Sequence, residues 1–114
     1  MDALTLYWIL GYKIKEGKAS EFGEFLRSQR FKSLREKLQT ETGIRIAETY
    51  FTVEPSSNEH GDYDAWDIWE VPNYAAIDRY VQSKARLEFF QEYLGPYVGT
   101  SYKWITAQKQ EFLK

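Results

Sequence analysis

The chain has no cysteine, which removes disulfides, thiolate nucleophiles and cysteine-ligated metals in one step and suits a reducing, cytoplasmic compartment. It has one histidine, His60, set among Glu59, Asp62 and Asp64 in a polar stretch. That spacing matches no known metal-binding loop, so no metal site is expected there. No apolar run approaches the roughly 20 residues that cross a bilayer, and Met1-Asp2-Ala3 supplies no basic region before an apolar segment. Neither a membrane partner nor a leader is expected. Charge of one sign is also lacking: 15 basic against 17 acidic residues give a net charge of -2, which offers no footprint for a phosphate backbone. Nucleic acid is therefore disfavoured. Also missing are a P-loop, a dinucleotide glycine fingerprint, an H-E-x-x-H helix and a nucleophile elbow.

What the chain has in excess is aromatic side chains. Four Trp, nine Tyr and seven Phe make up 18% of its 114 residues, and such side chains collect in cores, ligand cavities and interfaces. The length is that of one domain, residues 1–114.

Residues 4–15 alternate with period two, which predicts a long strand with Leu4, Leu6, Trp8, Leu10, Tyr12 and Ile14 on one face. Gly17 can turn the chain after it, and a helical pattern begins near Ser20, a candidate cap. Phe22, Phe25 and Leu26 make one stripe and Phe31, Leu34 and Leu38 another of different phase, so a break is expected around residues 27–30. Gly43 is placed to stop the helix. A second strand is expected over residues 44–54, with Ile44, Ile46, Glu48, Tyr50 and Thr52 sharing a face. Residues 55–62 read as a hairpin loop, and residues 63–71 as a third strand with Tyr63, Ala65, Asp67, Trp69 and Val71 on one face. The second helix is expected over residues 74–94, its inner face formed by Ala76 or Ile77, Tyr80, Val81, Leu87, Phe90 and Leu94, and a last strand over residues 101–112.

The order βαββαβ is that of the ferredoxin-like α+β fold, a four-stranded antiparallel sheet with two helices on one face. Tyr7, Ile9, Trp66 and Ile68 fall on the face that the helices leave open. So apolar a patch predicts an interface.

Ile14-Lys15-Glu16-Gly17-Lys18 with Glu21-Phe22, then Gly43 and Glu48, then Asp67-Ile68-Trp69-Glu70 running into Ala75-Ala76 and Ser83, resemble the dimeric α+β barrel superfamily. The pattern is most similar to its antibiotic-biosynthesis-monooxygenase-like proteins, which have a KPGK-type turn after the first strand and a YEVWED-type third strand. The resemblance implies a homodimer in which two sheets pack face to face as an α+β barrel, with a ligand cavity between sheet and helices in each subunit. It also implies a monooxygenase-like enzyme that needs no cofactor and acts on a small aromatic or apolar molecule. The haem-degrading members place an Asn, a Trp and a His at positions that fall here on Leu10, Trp69 and Phe90, so only the Trp is kept.

By alternation Asp67 and Trp69 point into the same space as Tyr12, Trp8 and Tyr63. A carboxylate among aromatics is poised to accept a proton from a phenol or an acidic carbon. Asp67 and Trp69 are therefore the candidate catalytic pair, and Tyr12, Leu10, Tyr63 and Phe90 the candidate substrate-binding residues. The plainer alternatives are an Asp67 satisfied by structural partners and a non-catalytic homodimer that binds a ligand or serves assembly. An RNA-recognition domain shares the element order, but Asp64 and Glu70 flank Trp66 and the basic glycine-aromatic motif is missing.

Overall fold

A computed structural model describes residues 5–53 and 63–113. The first strand, β1 (Leu6–Ile14), leads through Gly17, at φ 75°, to α1 (Ala19–Leu26) and α2 (Gln29–Thr42). Strands β2 (Arg45–Phe51) and β3 (Ala65–Val71) follow, then α3 (Tyr74–Gln82) and α4 (Lys84–Phe89). A π-helical turn, Phe90–Leu94, continues α4, and β4 (Val98–Gln108) closes the sheet. The sheet has four strands in the order β2-β3-β1-β4, every pair antiparallel. This is the ferredoxin-like α+β topology expected from the element order. The expected hairpin loop, with His60, Glu59 and Asp62, lies outside the described residues.

The break in the first helical segment falls where the two stripes lose phase. Ser28 leaves the helical region at φ -86° and ψ 157°, and its side chain accepts the Phe31 N–H at 3.1 Å, capping α2. Separate helices let Phe22 from α1 and Phe31, Leu34 and Leu38 from α2 reach one core. Ser20 does not cap, since α1 starts at Ala19 and places Ser20 inside its first turn. Gly43 ends α2 at φ 83°, a left-handed conformation that a side chain would strain.

Two expectations are corrected by local backbone irregularities. The helix expected over residues 74–94 is interrupted at Ser83, whose extended backbone ends α3 and whose hydroxyl accepts the Arg86 N–H at 3.2 Å to start α4. The phase shifts there, so Ala85, Phe89, Tyr93 and Leu94 are buried while Leu87 and Phe90 are exposed, and Val81, ahead of the break, is exposed as well. In β2 the pairing with β3 slips between Ile46 and Glu48, and the extra residue, Ala47, reverses the alternation. Beyond it Thr49 and Phe51 face the helices, with Phe51 stacked on Phe22 at 5.7 Å, while Glu48 and Tyr50 turn outward.

The central pair, β1 and β3, brings Leu10 opposite Asp67 and Trp8 opposite Trp69. On the helix side both strands are buried at every second residue. On the other side Tyr7, Ile9, Trp66 and Ile68 are only half-buried, Ile105 of β4 lies opposite Ile9, and no element among the described residues covers them.

Candidate functional site

Asp67 is the one fully buried carboxylate among the described residues. It accepts four hydrogen bonds. Tyr12 and Thr49 donate their hydroxyls to Oδ1 at 2.8 and 2.9 Å, and Tyr93 and the Trp69 indole donate to Oδ2 at 2.5 and 3.1 Å. The donors come from four elements. Tyr12 stands on β1, Trp69 two residues along β3, Thr49 reaches in only because the β2 bulge turns it inward, and Tyr93 is delivered by the π-helical turn. The Tyr12 and Tyr93 hydroxyl oxygens lie 3.2 Å apart.

A carboxylate offers about four acceptor positions, and each of these is met by a donor. Burial nevertheless raises the Asp67 pKa above the ordinary carboxylate value, because desolvation outweighs the Tyr93, Tyr12, Trp69 and Thr49 hydrogen bonds that favour the anion. Burial and the adjacent Asp67 charge also push both phenols, Tyr12 and Tyr93, well above the usual tyrosine range. Around the carboxylate the wall is aromatic: Phe22, Phe89, Trp8 and Trp104 pack against Tyr12, Tyr93 and Trp69 at ring separations of 4.7 to 6.1 Å.

On the far side of Tyr12 lies a cleft of about 390 Å³, bounded by β1, β4 and the π-helical turn. Its walls are mostly apolar, formed by Leu10, Phe90, Leu94, Val98 and Trp104 with Tyr12 and Tyr102, and Lys15 stands in its lining. The turn that places Tyr93 on Asp67 therefore also forms one wall. Its Gly95 N–H bonds the Phe90 carbonyl five residues back at 2.9 Å, and such π-turns recur at functional sites.

The residues named from sequence divide into three groups. Leu10, Tyr12 and Phe90 line the cleft. Asp67 and Trp69 sit behind Tyr12 without reaching it, fully buried and in contact with each other through the indole N–H. Tyr63 stands apart, precedes β3, and packs edge-on against Trp66 at 5.2 Å rather than into the cleft. Two members of the carboxylate cluster were not anticipated, Thr49 and Tyr93. The signal for Thr49 was a charged Glu48 assigned to an apolar face, which no single register of β2 can reconcile. For Tyr93 it was Ser83-Lys84-Ala85-Arg86, a start of helix inside a presumed helix.

No protein-family model and no curated protein matches the chain. Solved structures do. A hydroxynitrile lyase from Passiflora edulis is 11% identical with a TM-score of 0.67, over 97% of this chain and 98% of that one. A Dabb family protein with a ferredoxin-like fold from Mesorhizobium loti is 16% identical with a TM-score of 0.63, over 96% and 100%. A dimeric protein of unknown function and ferredoxin-like fold from Bacteroides fragilis is 14% identical with a TM-score of 0.60, again over 96% and 100%. At these identities the likeness establishes the fold alone, the α+β ferredoxin-like fold. Among the described residues no helix is long and apolar enough to cross a membrane.

Proposed function

We propose that the protein is a homodimeric α+β barrel that takes up one small apolar or aromatic molecule in the cleft beside Tyr12. The observation that carries this is the cleft itself, an apolar hollow of drug-fragment size adjoining a satisfied polar cluster, the usual build of a small-molecule site. Dimerisation through the open sheet face is supported by the uncovered row Ile9, Ile68 and Ile105, and by the Bacteroides fragilis neighbour being described as dimeric. Native mass spectrometry with added 2-naphthylmethanol, a neutral aromatic probe, tests both parts. A dimer carrying one probe per subunit is expected, whereas a monomer, or a dimer that takes up none, would sink the corresponding half.

A second reading is a cofactor-independent, monooxygenase-like enzyme, and one observation favours it: Tyr12 touches the cleft with one side and Asp67 with its hydroxyl. The Tyr12 hydroxyl, here buried against Asp67 and Tyr93, would then turn toward the cleft, take the proton of a bound phenol and pass its own to Asp67. The saturation of Asp67 by four donors stands against it and places binding first. Oxygen uptake on addition of 1-naphthol, abolished by Asp67→Asn, would reverse that order.

A further inference from the structure

The cleft is apolar on nearly every side, yet one ammonium group stands in its lining. Among the described residues that form it, Lys15 is the only charged one, and no carboxylate shares the wall. Lys15 is exposed, yet it is tied down at two points. Its N–H bonds the Tyr97 carbonyl at 2.7 Å, and its Nζ donates to the Gly95 carbonyl at 2.8 Å, so backbone and side chain are both tied to the segment that leaves the π-helical turn. An ammonium has three donors. One is held by Gly95, which fixes the group in place, and two are left to meet a ligand. Fixing the side chain beforehand also lowers the conformational entropy that binding would otherwise cost.

Two carboxylates, Glu16 and Asp64, border a second, exposed hollow that Lys15 also borders, but neither lines the cleft, and the Asp64 carboxylate accepts the Ile14 N–H at 2.8 Å. The polarity of the cleft is thus one-sided, apolar at Leu10, Phe90 and Trp104 and cationic at Lys15. We infer that the natural ligand is a small apolar molecule bearing an anionic group, a carboxylate or phenolate, with its body against Trp104 and Phe90 and its charge on Lys15. This rests on the proposal that the cleft binds a small molecule, and it adds the chemical class.

The test is a matched pair of probes, 2-naphthoate and 2-naphthylmethanol, titrated calorimetrically into the full-length protein and into Lys15→Met and Lys15→Arg. The naphthoate is expected to bind about tenfold more tightly than the alcohol, the scale of a charge-assisted hydrogen bond at a partly open site. In Lys15→Met that preference disappears and in Lys15→Arg it returns, with the alcohol bound equally in all three. Equal preference in the wild type and Lys15→Met, or alcohol binding with no preference anywhere, would overturn the inference and leave the cleft as a binding site. Binding of neither probe to the wild type would overturn the cleft proposal itself.

Discussion

Tyr12 donates its hydroxyl to the Asp67 carboxylate at 2.8 Å across the two central strands of the sheet, and neither residue has any exposed surface. The pair is set by register. Leu10 is directly opposite Asp67, so Tyr12, two residues further on the same face, reaches diagonally to the carboxylate, a distance that long aromatic side chains span. Of the four side chains that donate to Asp67, Tyr12 is the one that also lines the cleft.

Removing the carboxylate leaves four donors without an acceptor, and each unsatisfied buried donor costs about 1–3 kcal/mol when no water replaces the partner. Asp67→Ala is therefore expected to lose about 3 kcal/mol, after partial relaxation, in urea unfolding. Asp67→Asn should lose less at neutral pH. Its oxygen can serve Tyr12 and Thr49 and its amide can donate to a rotated Tyr93 hydroxyl, but the Trp69 N–H has no alternative role. The two proteins should also differ in pH dependence. The folded Asp67 pKa is raised, so the unfolded chain releases this proton first. The stability held by the protonated form is fully present below the unfolded value, about 3.9, and is lost as pH rises through the folded pKa. The wild-type advantage over Asp67→Asn should accordingly shrink between acidic and neutral pH. An advantage that grows with pH would show that the hydrogen bonds outweigh desolvation.

At alkaline pH the phenols decide. An unfolded tyrosine ionises near pH 10, while in the folded chain burial pushes Tyr80 up to about 12 and lifts Tyr12 and Tyr93 further. The unfolded state thus gives up its phenolic protons first, and stability falls as pH rises above 10. In a phenolate absorbance titration of the nine tyrosines, Tyr12 and Tyr93 should ionise only as the fold is lost. Tyr12→Phe and Tyr93→Phe should each remove one phenol from that late step. A variant that leaves the late step unchanged would place its hydroxyl in contact with solvent.

How much of this was legible in the sequence follows from where the backbone is regular. β1 and β3 keep period two without interruption on the residues that meet Asp67, so Tyr12, Asp67 and Trp69 could be put on one face by alternation alone. The break between α1 and α2 was legible too, because Phe22 and Phe31 demand different phases. Thr49 and Tyr93 were not, and for one reason. Each lies beyond a single-residue irregularity, the bulge at Ala47 and the extended Ser83, and an offset of one residue reverses a strand face or turns a helix by about 100°. Tyr63 failed differently, since alternation was extended past the end of β3, where the ring turns instead toward Trp66.

The open sheet face yields the next expectation. Trp66 lies over Gly11, where an added Cβ would come within 2.8 Å of its ring, and the next pair on this face is Ile9 and Ile68. A lysine in the middle of that surface would bury a charge without a partner in any face-to-face pairing of two sheets. Ile9→Lys should sediment as a folded monomer where the wild type sediments as a dimer. The circular dichroism of the two should match, because Ile9 points away from the helix-side core. A dimeric Ile9→Lys would move the subunit contact to another surface.

The cleft can be closed without touching the carboxylate. Val98 opens β4, is half-buried, and lines the cleft, opposite Ile14 and away from Asp67. Val98→Phe adds an aromatic ring whose space is the hollow itself, so binding of 2-naphthylmethanol should fall at least about tenfold, as a ligand loses most of the apolar area that holds it. Filling a void costs little when no neighbour has to move, and the unfolding midpoint should shift by less than about 1 kcal/mol equivalent. Phe90→Ala acts in the opposite sense, widening the wall from an exposed position. It should relax selection by size rather than abolish binding. If Val98→Phe binds the probe as well as the wild type does, the molecule is held elsewhere and Tyr12 belongs to the core alone.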